Sequence, residues 1–362
     1  MWLICPIASV GKRLQPFTYS KPKAFIKIAG KRLIDHILIK LKNTFPKETN
    51  ICFIVGYKKR QITEYLKGNH SDYFTLHFVE QEPLGYEADT PFFSGIGDAI
   101  LLAKDYAEND DLFLFFSDRL PMGDYSQILL NFHNDICDGV INVRQVLNPQ
   151  FYGVVETDEN GIVTSIVEKP KNPKSNLAVS GAYLLGMSVN PSLFKLLEEQ
   201  QKILIENGQE HELTPVIQKL IEEGFKFKIN NMEREILDFG RPESLLNGNR
   251  LLLSELKIQD PTYEGLIKSG NINDSKIVPP IFIGNNSNIS DSVIGPNVSI
   301  GDNVSLNKCI ISDSVIGDGA KLKRLITSKS IIGDYSILED LIKKSITIGD
   351  SSYITTSNMK SP

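Results

Sequence analysis

A chain of 362 residues exceeds what one hydrophobic core usually organises, and 41% hydrophobic with 23% charged residues is ordinary globular chemistry, so two domains are expected. With 39 basic against 44 acidic residues, a formal net charge of −5, no cationic surplus exists to neutralise a nucleic-acid backbone or an anionic membrane. Neither nucleic acid nor membrane is therefore an expected partner, and any phosphate binding must be local. The first apolar run, residues 1–10, has no basic leader and passes straight into Gly11-Lys12-Arg13, and nothing later approaches the ~20 consecutive apolar residues of a membrane helix, so a cytoplasmic location is expected. Cys5 and Cys52 sit inside apolar runs and Cys137 and Cys309 are isolated; no pair has zinc-like or redox-like spacing, which reads as buried, reduced thiols.

Short apolar runs then alternate with helical patterns: residues 2–8, 34–41 with a 3–4 spacing of Ile and Leu, 51–55, 61–66, 99–103 and 112–116. Strand, helix, strand repetition predicts an α/β fold, a Rossmann-like, mostly parallel sheet with helices on both faces, and ligands bind such sheets beyond the carboxyl ends of the strands. After about residue 275 the texture changes. Ile-Gly dipeptides recur at Ile283-Gly284, Ile294-Gly295, Ile300-Gly301, Ile316-Gly317, Ile332-Gly333 and Ile348-Gly349, the last four 16 residues apart. Ile289, Leu306, Ile310, Leu322, Ile326 and Ile337 fall between them at steps of about five or six, the period of a triangular coil with three short strands. One aliphatic per strand points inward, and Gly, Asn and Asp are expected at the corners, where positive φ is least costly. The segment resembles a small left-handed parallel β-helix of hexapeptide repeats; a β-sandwich would not repeat a dipeptide at a fixed period. The expected divisions are 1–253 for the first domain, 254–274 for a helical connector, 275–352 for the β-helix and 353–362 for a tail.

Chemistry concentrates first in Ser9-Val10-Gly11-Lys12-Arg13-Leu14-Gln15-Pro16-Phe17-Thr18, followed by Lys21-Pro22-Lys23. A glycine loop at a strand end lets backbone N–H groups approach phosphates, while Arg and Lys supply fixed positive charge. The spacing of Gly11, Arg13, Leu14, Pro16, Thr18, Pro22 and Lys23 resembles the signature loop of nucleotidyltransferases acting on sugar 1-phosphates, G-x-G-T-R-L-x-P-x-T-x-x-x-P-K. Further landmarks of that family follow in order: Ile54-Val55-Gly56-Tyr57, Pro83-Leu84-Gly85, Asp118 after an apolar strand, Tyr152-Gly153-Val154-Val155, Glu168-Lys169-Pro170, Ser175-Asn176-Leu177-Ala178 with Gly181, Glu212-Leu213-Thr214, and Leu237-Asp238-Phe239-Gly240.

The resemblance implies transfer of a nucleoside monophosphate from an NTP to a hexose 1-phosphate, giving an NDP-sugar and pyrophosphate. Glucose 1-phosphate with dTTP or UTP is the first expectation; mannose 1-phosphate with GTP is the alternative. It assigns Arg13, Lys23, Asp118 and Lys169 to catalysis. Ala8, Ser9, Gly11, Lys12, Glu80, Gln81 and Gly85 fall to the nucleotide, and Gly153, Glu168, Lys169, Asn176 and Gly181 to the sugar phosphate. Asp118 and Asp238 fall to a catalytic Mg²⁺, and the β-helix implies a homo-oligomer. These roles make physical sense: two hard oxygen ligands plus substrate phosphates suit Mg²⁺, a carboxylate can accept from two vicinal hydroxyls, and an ammonium is a compact phosphate partner.

The chain departs from the family at Ser9 and Lys12, where glycine and threonine are usual, at Ser117, where glycine is usual, and at Pro215. The largest departure is residues 86–96, which intervene between Pro83-Leu84-Gly85 and Gly97-Asp98-Ala99-Ile100; their role is not readable from sequence. Counting back from Gly85, base reading falls on Glu80, or on Gln81 after a one-residue slip. Two other functions compete. A catalytically weak, sugar-nucleotide-sensing homologue would explain Ser9, Lys12 and the insertion, although it would not need both metal carboxylates. Acyl transfer on the β-helix would call for a histidine base, and all five histidines, His36, His70, His77, His133 and His211, precede the repeats.

Overall fold

The computed structural model describes the chain except residues 135, 208–209, 233–235, 260–265, 268–269 and 357–362. It divides into two compact units, Met1–Val10 with His36–Leu237, and Gly11–Asp35 with Asp238–Pro362.

In the first unit, Trp2–Pro6, Asn50–Val55, Thr75–Glu80 and Leu112–Phe115 form a four-stranded parallel block, with Trp2–Pro6 between Asn50–Val55 and Leu112–Phe115. Their near-continuous Ile, Val, Leu and Phe content follows from burial on both faces, which crossover helices impose on a parallel sheet. Leu3, Ile4, Phe53, Phe113 and Phe115 are fully buried. The sheet widens through Leu177–Leu185, antiparallel to Leu112–Phe115, and then through Gly153–Thr157, Val163–Glu168, Gly139–Gln145 and Phe227–Asn231. Leu33–Thr44 and Lys59–His70 supply the helices anticipated at residues 34–41 and 61–66. Ile62 and Leu66 are fully buried, the inward stripe of a surface helix.

In the second unit the repeats form the left-handed parallel β-helix, its coils pairing in register: Ile283 on Ile300, Ile300 on Ile316, Ile316 on Ile332 and Ile332 on Ile348. Inward aliphatics such as Ile289, Leu306, Leu322 and Leu338 stack into one core. Positive φ recurs at Asn286, Asp291, Asn297, Asn303, Lys308, Asp313, Gly319, Arg324, Lys329, Tyr335, Asp340 and Ser351, so the corners turn every five or six residues. Asn and Asp fill many of them, as anticipated, but Lys, Arg, Tyr and Ser take others. The recurring glycines divide. Gly295, at φ +106°, takes the positive φ that the sequence reading expected. Gly284, Gly301, Gly317, Gly333 and Gly349 are absent from the positive-φ glycines; they stack coil on coil, and a Cβ on Gly317 would lie 2.6 Å from the Asp334 nitrogen and 2.7 Å from the Gly333 carbonyl carbon. Close approach between coils, rather than backbone handedness, selects glycine there.

The helix Pro242–Gln259 and the segment after the first strand pack with the repeats rather than with the sheet. Asn249, 1% exposed, ties them: its Oδ1 accepts from the Ala29 N–H at 2.9 Å and from Ser299 Oγ at 2.6 Å, and its Nδ2 donates to the Asn297 carbonyl at 3.3 Å. Of the expected connector, residues 260–265 and 268–269 lie outside the described residues, as do residues 357–362 of the expected tail. Among the described residues no helix is long and apolar enough to cross a membrane.

Candidate active site

In the first unit the carboxyl ends of the parallel strands bring anticipated residues to one edge. After Trp2–Pro6 comes Ala8, 4% exposed, whose carbonyl accepts from the Tyr57 N–H at 2.9 Å, while the Ile7 N–H donates to Ile54 at 2.9 Å. A Cβ on Gly56 would lie 2.8 Å from that of Ala8, so glycine there lets the two strand-end loops meet. Ser9 is exposed.

Leu112–Phe115 is followed by buried Ser117 and half-buried Asp118. Burial, and next the Asp118 charge, hold the Cys5 thiol well above its ordinary pKa. Burial alone pushes Cys52 up to about 12. Both thiols are therefore protonated packing groups, as the sequence suggested.

At the end of Thr75–Glu80 the two candidate base readers diverge. Glu80 pairs with Lys59. Gln81 is 3% exposed, and its Nε2 donates to Gly95 O at 3.1 Å and Ser94 Oγ at 3.3 Å, with Asp98 Oδ2 at 3.4 Å. The insertion is a hairpin, Gly85–Glu87 against Thr90–Phe92, turned by Ala88 and Asp89 at positive φ. Gly85 lies beneath the Phe92 ring, which would stand 2.8 Å from a Cβ there. Gly97 is the second residue of the helix Ile96–Leu101, and its N–H donates to the His211 carbonyl at 2.7 Å. His211 is 1% exposed and, among the described residues, neither ring nitrogen has a hydrogen-bond partner; burial lowers its pKa against the opposing charge of Asp98.

A second cluster forms where Gly153–Thr157 pairs with Val163–Glu168, placing Gly153 opposite Glu168. Glu168 Oε2 accepts from Thr214 Oγ1 at 2.8 Å, and Lys169 Nζ stands 2.9 Å from Glu168 Oε1 and 3.2 Å from Glu212 Oε1. Burial opposes the Lys169 ammonium, but the two carboxylates outweigh it and its pKa is raised. Lys169 adopts a positive φ of 44°, a conformation uncommon outside glycine, asparagine and aspartate. A Cβ on Gly153 would lie 3.2 Å from both Glu168 Oε2 and Thr214 Oγ1, so glycine keeps the face of that carboxylate open. Gly181, at φ +76°, leaves room for Arg119, whose Cβ would otherwise be 2.5 Å away.

Asn176 stands apart from these groups. It is exposed, its carbonyl accepts from the Val146 N–H at 3.0 Å, and it lines a separate groove with Leu147, Glu156 and Thr157. Extended strand separates it from Gly181, ~17 Å at 3.3 Å per residue. Sequence reasoning named Thr214 and Glu212 only as landmarks and missed Tyr183, a buried phenol beside Thr214 whose pKa is raised by burial and then by Glu168. The near-continuous burial of Leu177–Leu185, a strand covered on both faces, encloses Tyr183.

The second unit carries the rest of the motif. Gly11, at φ +70°, opens a tight turn in which its carbonyl accepts from the Leu14 N–H at 2.9 Å and from Thr18 Oγ1 at 3.2 Å. Its missing side chain lets Lys23 lie against it, since a Cβ there would be 3.1 Å from Lys23 Cβ. Leu14, Phe17 and Pro22 are buried while Lys12 and Arg13 are exposed, so apolar residues pin the loop and leave its cations outward. Asp238 ends the strand Ile236–Asp238, and its Oδ1 accepts from the Gly240 N–H at 3.0 Å.

A parallel α/β sheet with a glycine- and cation-bearing loop, followed by hexapeptide coils, defines a nucleotide-handling class, and comparison with known proteins agrees. The chain belongs to the nucleotidyl transferase family, whose model matches residues 9–255, and the GlmU-like C-terminal hexapeptide model matches residues 262–332. It is 34% identical over 267 residues to the bifunctional protein GlmU of Methanocaldococcus jannaschii, a match covering 73% of this chain and 58% of that protein. It is 29% identical over 270 residues to the low-salt glycan biosynthesis nucleotidyltransferase Agl11 of Haloferax volcanii, covering 74% and 68%. The fold matches UDP-glucose pyrophosphorylase from Acinetobacter baumanii with a TM-score of 0.55 at 20% identity, over 72% of this chain and 94% of that one. The chain thus spans little more than half of the GlmU protein it resembles.

Proposed function

We propose that the chain joins a nucleoside monophosphate, taken from an NTP, to a hexose 1-phosphate, releasing pyrophosphate. The observation that carries this reading is the cluster at Gly153: a carboxylate and an ammonium held side by side at a strand end, with the carboxylate's face left open by glycine. Glu168 suits the hydroxyls of a sugar ring and Lys169 its phosphate. The sugar phosphate's oxygen attacks the α-phosphorus in line, forming the new P–O bond as the bond to pyrophosphate breaks. No protein nucleophile enters. Arg13 binds the triphosphate, Lys12 adds charge to it, and Lys23 and Lys169 neutralise the reacting phosphates, so catalysis rests on positioning and charge. The backbone at Ala8, Ser9 and Gly11 approaches the nucleotide; Gly85 is assigned to the nucleotide and Gly181 to the sugar phosphate.

Members of this family generally depend on a divalent metal. Asp118 and Asp238 are the residues we assign to hold it: each is a half-buried carboxylate at or just beyond a strand end, an oxygen donor of the kind Mg²⁺ takes. Two carboxylates completed by substrate oxygens and water suit Mg²⁺, which would supply charge neutralisation on the phosphates.

Glucose 1-phosphate with dTTP or UTP is our first choice of substrates. The same reading includes a cytoplasmic homo-oligomer. An exposed aliphatic ladder supports assembly: Val293, Ile310, Ile326 and Ile342 stack in register at 38%, 51%, 41% and 77% exposure.

The test is pyrophosphate release with Mg²⁺ across dTTP, UTP, GTP, CTP and ATP against glucose, galactose, mannose and N-acetylglucosamine 1-phosphates. Turnover is expected for glucose 1-phosphate with dTTP or UTP. Tight binding of a sugar nucleotide without turnover in any combination would replace the enzyme with a sensor.

A further inference from the structure

Asp302, Asp318, Asp334 and Asp350 each follow a stacked glycine on successive coils. Their Oδ1 atoms accept from the backbone N–H groups of Asn285, Asp302, Asp318 and Asp334, at 2.7, 3.0, 2.9 and 2.8 Å. One oxygen of each carboxylate thus closes the coil before it, and the other is free to point outward. Neighbouring strands lie ≈ 4.8 Å apart, so four like charges in a column repel one another unless countered.

Two lysines counter them, and neither belongs to the repeats. Lys27 Nζ stands 2.6 Å from Asp318 Oδ2 and 3.4 Å from Asp302 Oδ2. Lys21 pairs with Asp334 and stands 3.0 Å from Asp350 Oδ2, while Ser20 Oγ also donates to Asp350. Each ammonium bridges two rungs. Lys21 and Asp350 retain only 18% and 12% of their side-chain exposure, so this is an enclosed pairing rather than a loose surface one. Lys23 is two residues from Lys21 and is confined on its other side by the Gly11 backbone.

We propose that the aspartate ladder positions the nucleotide-binding loop: Asp334 and Asp350 hold Lys21, Asp302 and Asp318 hold Lys27, and the two clamps fix Lys23 and the Gly11 turn between them. The β-helix thereby contributes to nucleotide binding without touching substrate. This rests on the reading of Lys23 and Arg13 as phosphate-binding groups.

The test is the full-length Asp334→Asn/Asp350→Asn variant, with Lys21→Met and Lys21→Arg beside it. Asparagine keeps the Oδ1 acceptor that closes the coil and removes only the outward charge, so the repeats should remain folded. The KM for the NTP should rise about tenfold in the double variant and in Lys21→Met, as expected for displaced positioning groups. The KM for the hexose 1-phosphate should stay within about twofold, and Lys21→Arg should restore most of the loss. Amide hydrogen exchange supplies a readout without substrate: residues 11–26 should exchange about tenfold faster in the double variant while the repeat strands keep their protection. An unchanged NTP KM with unchanged exchange, or a parallel rise of both KM values with loss of protection throughout the repeats, overturns the proposal. If the wild-type chain turns over no substrate pair, the functional reading fails, and the exchange of residues 11–26 still decides the clamp.

Discussion

The sheet and the β-helix use aspartate in opposite ways. In the first unit, Asp118 stands half-buried just beyond the strand Leu112–Phe115, outside any repeat of the sequence. In the β-helix, Asp302, Asp318, Asp334 and Asp350 occupy one backbone position four times over, each with an oxygen committed to the neighbouring coil. A carboxylate repeated in register has its role set by its neighbours, whereas one beyond a strand end of a parallel sheet stands where such sheets bind ligands.

Substitutions can break or sharpen that contrast. The largest effect is expected at the loop cation: Arg13→Ala should lower kcat by about 10²–10³-fold, the usual consequence of removing one preorganised charge from a developing one. Differential scanning calorimetry should show a Tm within about 2 °C of wild type, because the side chain is exposed. Unchanged turnover would remove Arg13 from the site.

Glu168→Gln should raise the KM for the hexose 1-phosphate about 10–100-fold and leave that for the NTP alone, since a charged acceptor of hydroxyl donors contributes about 1.5–3 kcal/mol. Initial-rate measurements with each substrate varied in turn check this; equal changes in both KM values would show that Glu168 does not distinguish sugar from nucleotide.

In the β-helix, Gly317→Ala should cost about 1–3 kcal/mol of stability, because a methyl 2.6 Å from the Asp334 nitrogen forces two coils apart. Chemical denaturation measures it. A neutral result would return this glycine to the conformational role that the sequence suggested.

The smallest effect concerns pH. His211 is buried with a lowered pKa, so the unfolded chain binds its proton more tightly than the folded one. Its stability is therefore intact above the ordinary value of 6.5 and is lost as pH falls below it. His211→Leu should flatten the decline of Tm between pH 6.5 and about pH 5. A decline as steep as wild type would mean that the ring is charged in the fold.

Much of this was legible in sequence because it was local. Residues 34–41 and 112–116 showed their period or their apolar run directly, and the Ile-Gly interval of 16 residues showed the coils. The grouping of Glu168, Lys169 and Gly153 rested on a motif, and strand pairing accounts for it by placing Gly153 opposite Glu168. What escaped was non-local. Lys21 and Lys27 stand 313 and 291 residues from Asp334 and Asp318, and no spacing rule connects a loop lysine to a coil so far along the chain. Thr214 reaches Glu168 across 46 residues for the same reason. The glycine reading held at Gly295 and failed at the stacked positions for a different reason. Spacing alone reports that a side chain is unwelcome, and the stacked coils show that the obstacle is the next coil's backbone.

The most direct measurement compares Asp118→Asn with Asp318→Asn, the same exchange of a carboxylate for an amide, by pyrophosphate release under saturating NTP and hexose 1-phosphate and by thermal unfolding. Asp118→Asn should lose at least about 10²-fold in kcat with Tm within about 2 °C, while Asp318→Asn should keep kcat within about threefold and lose Tm by a few degrees. Wild-type turnover in Asp118→Asn would contradict the account.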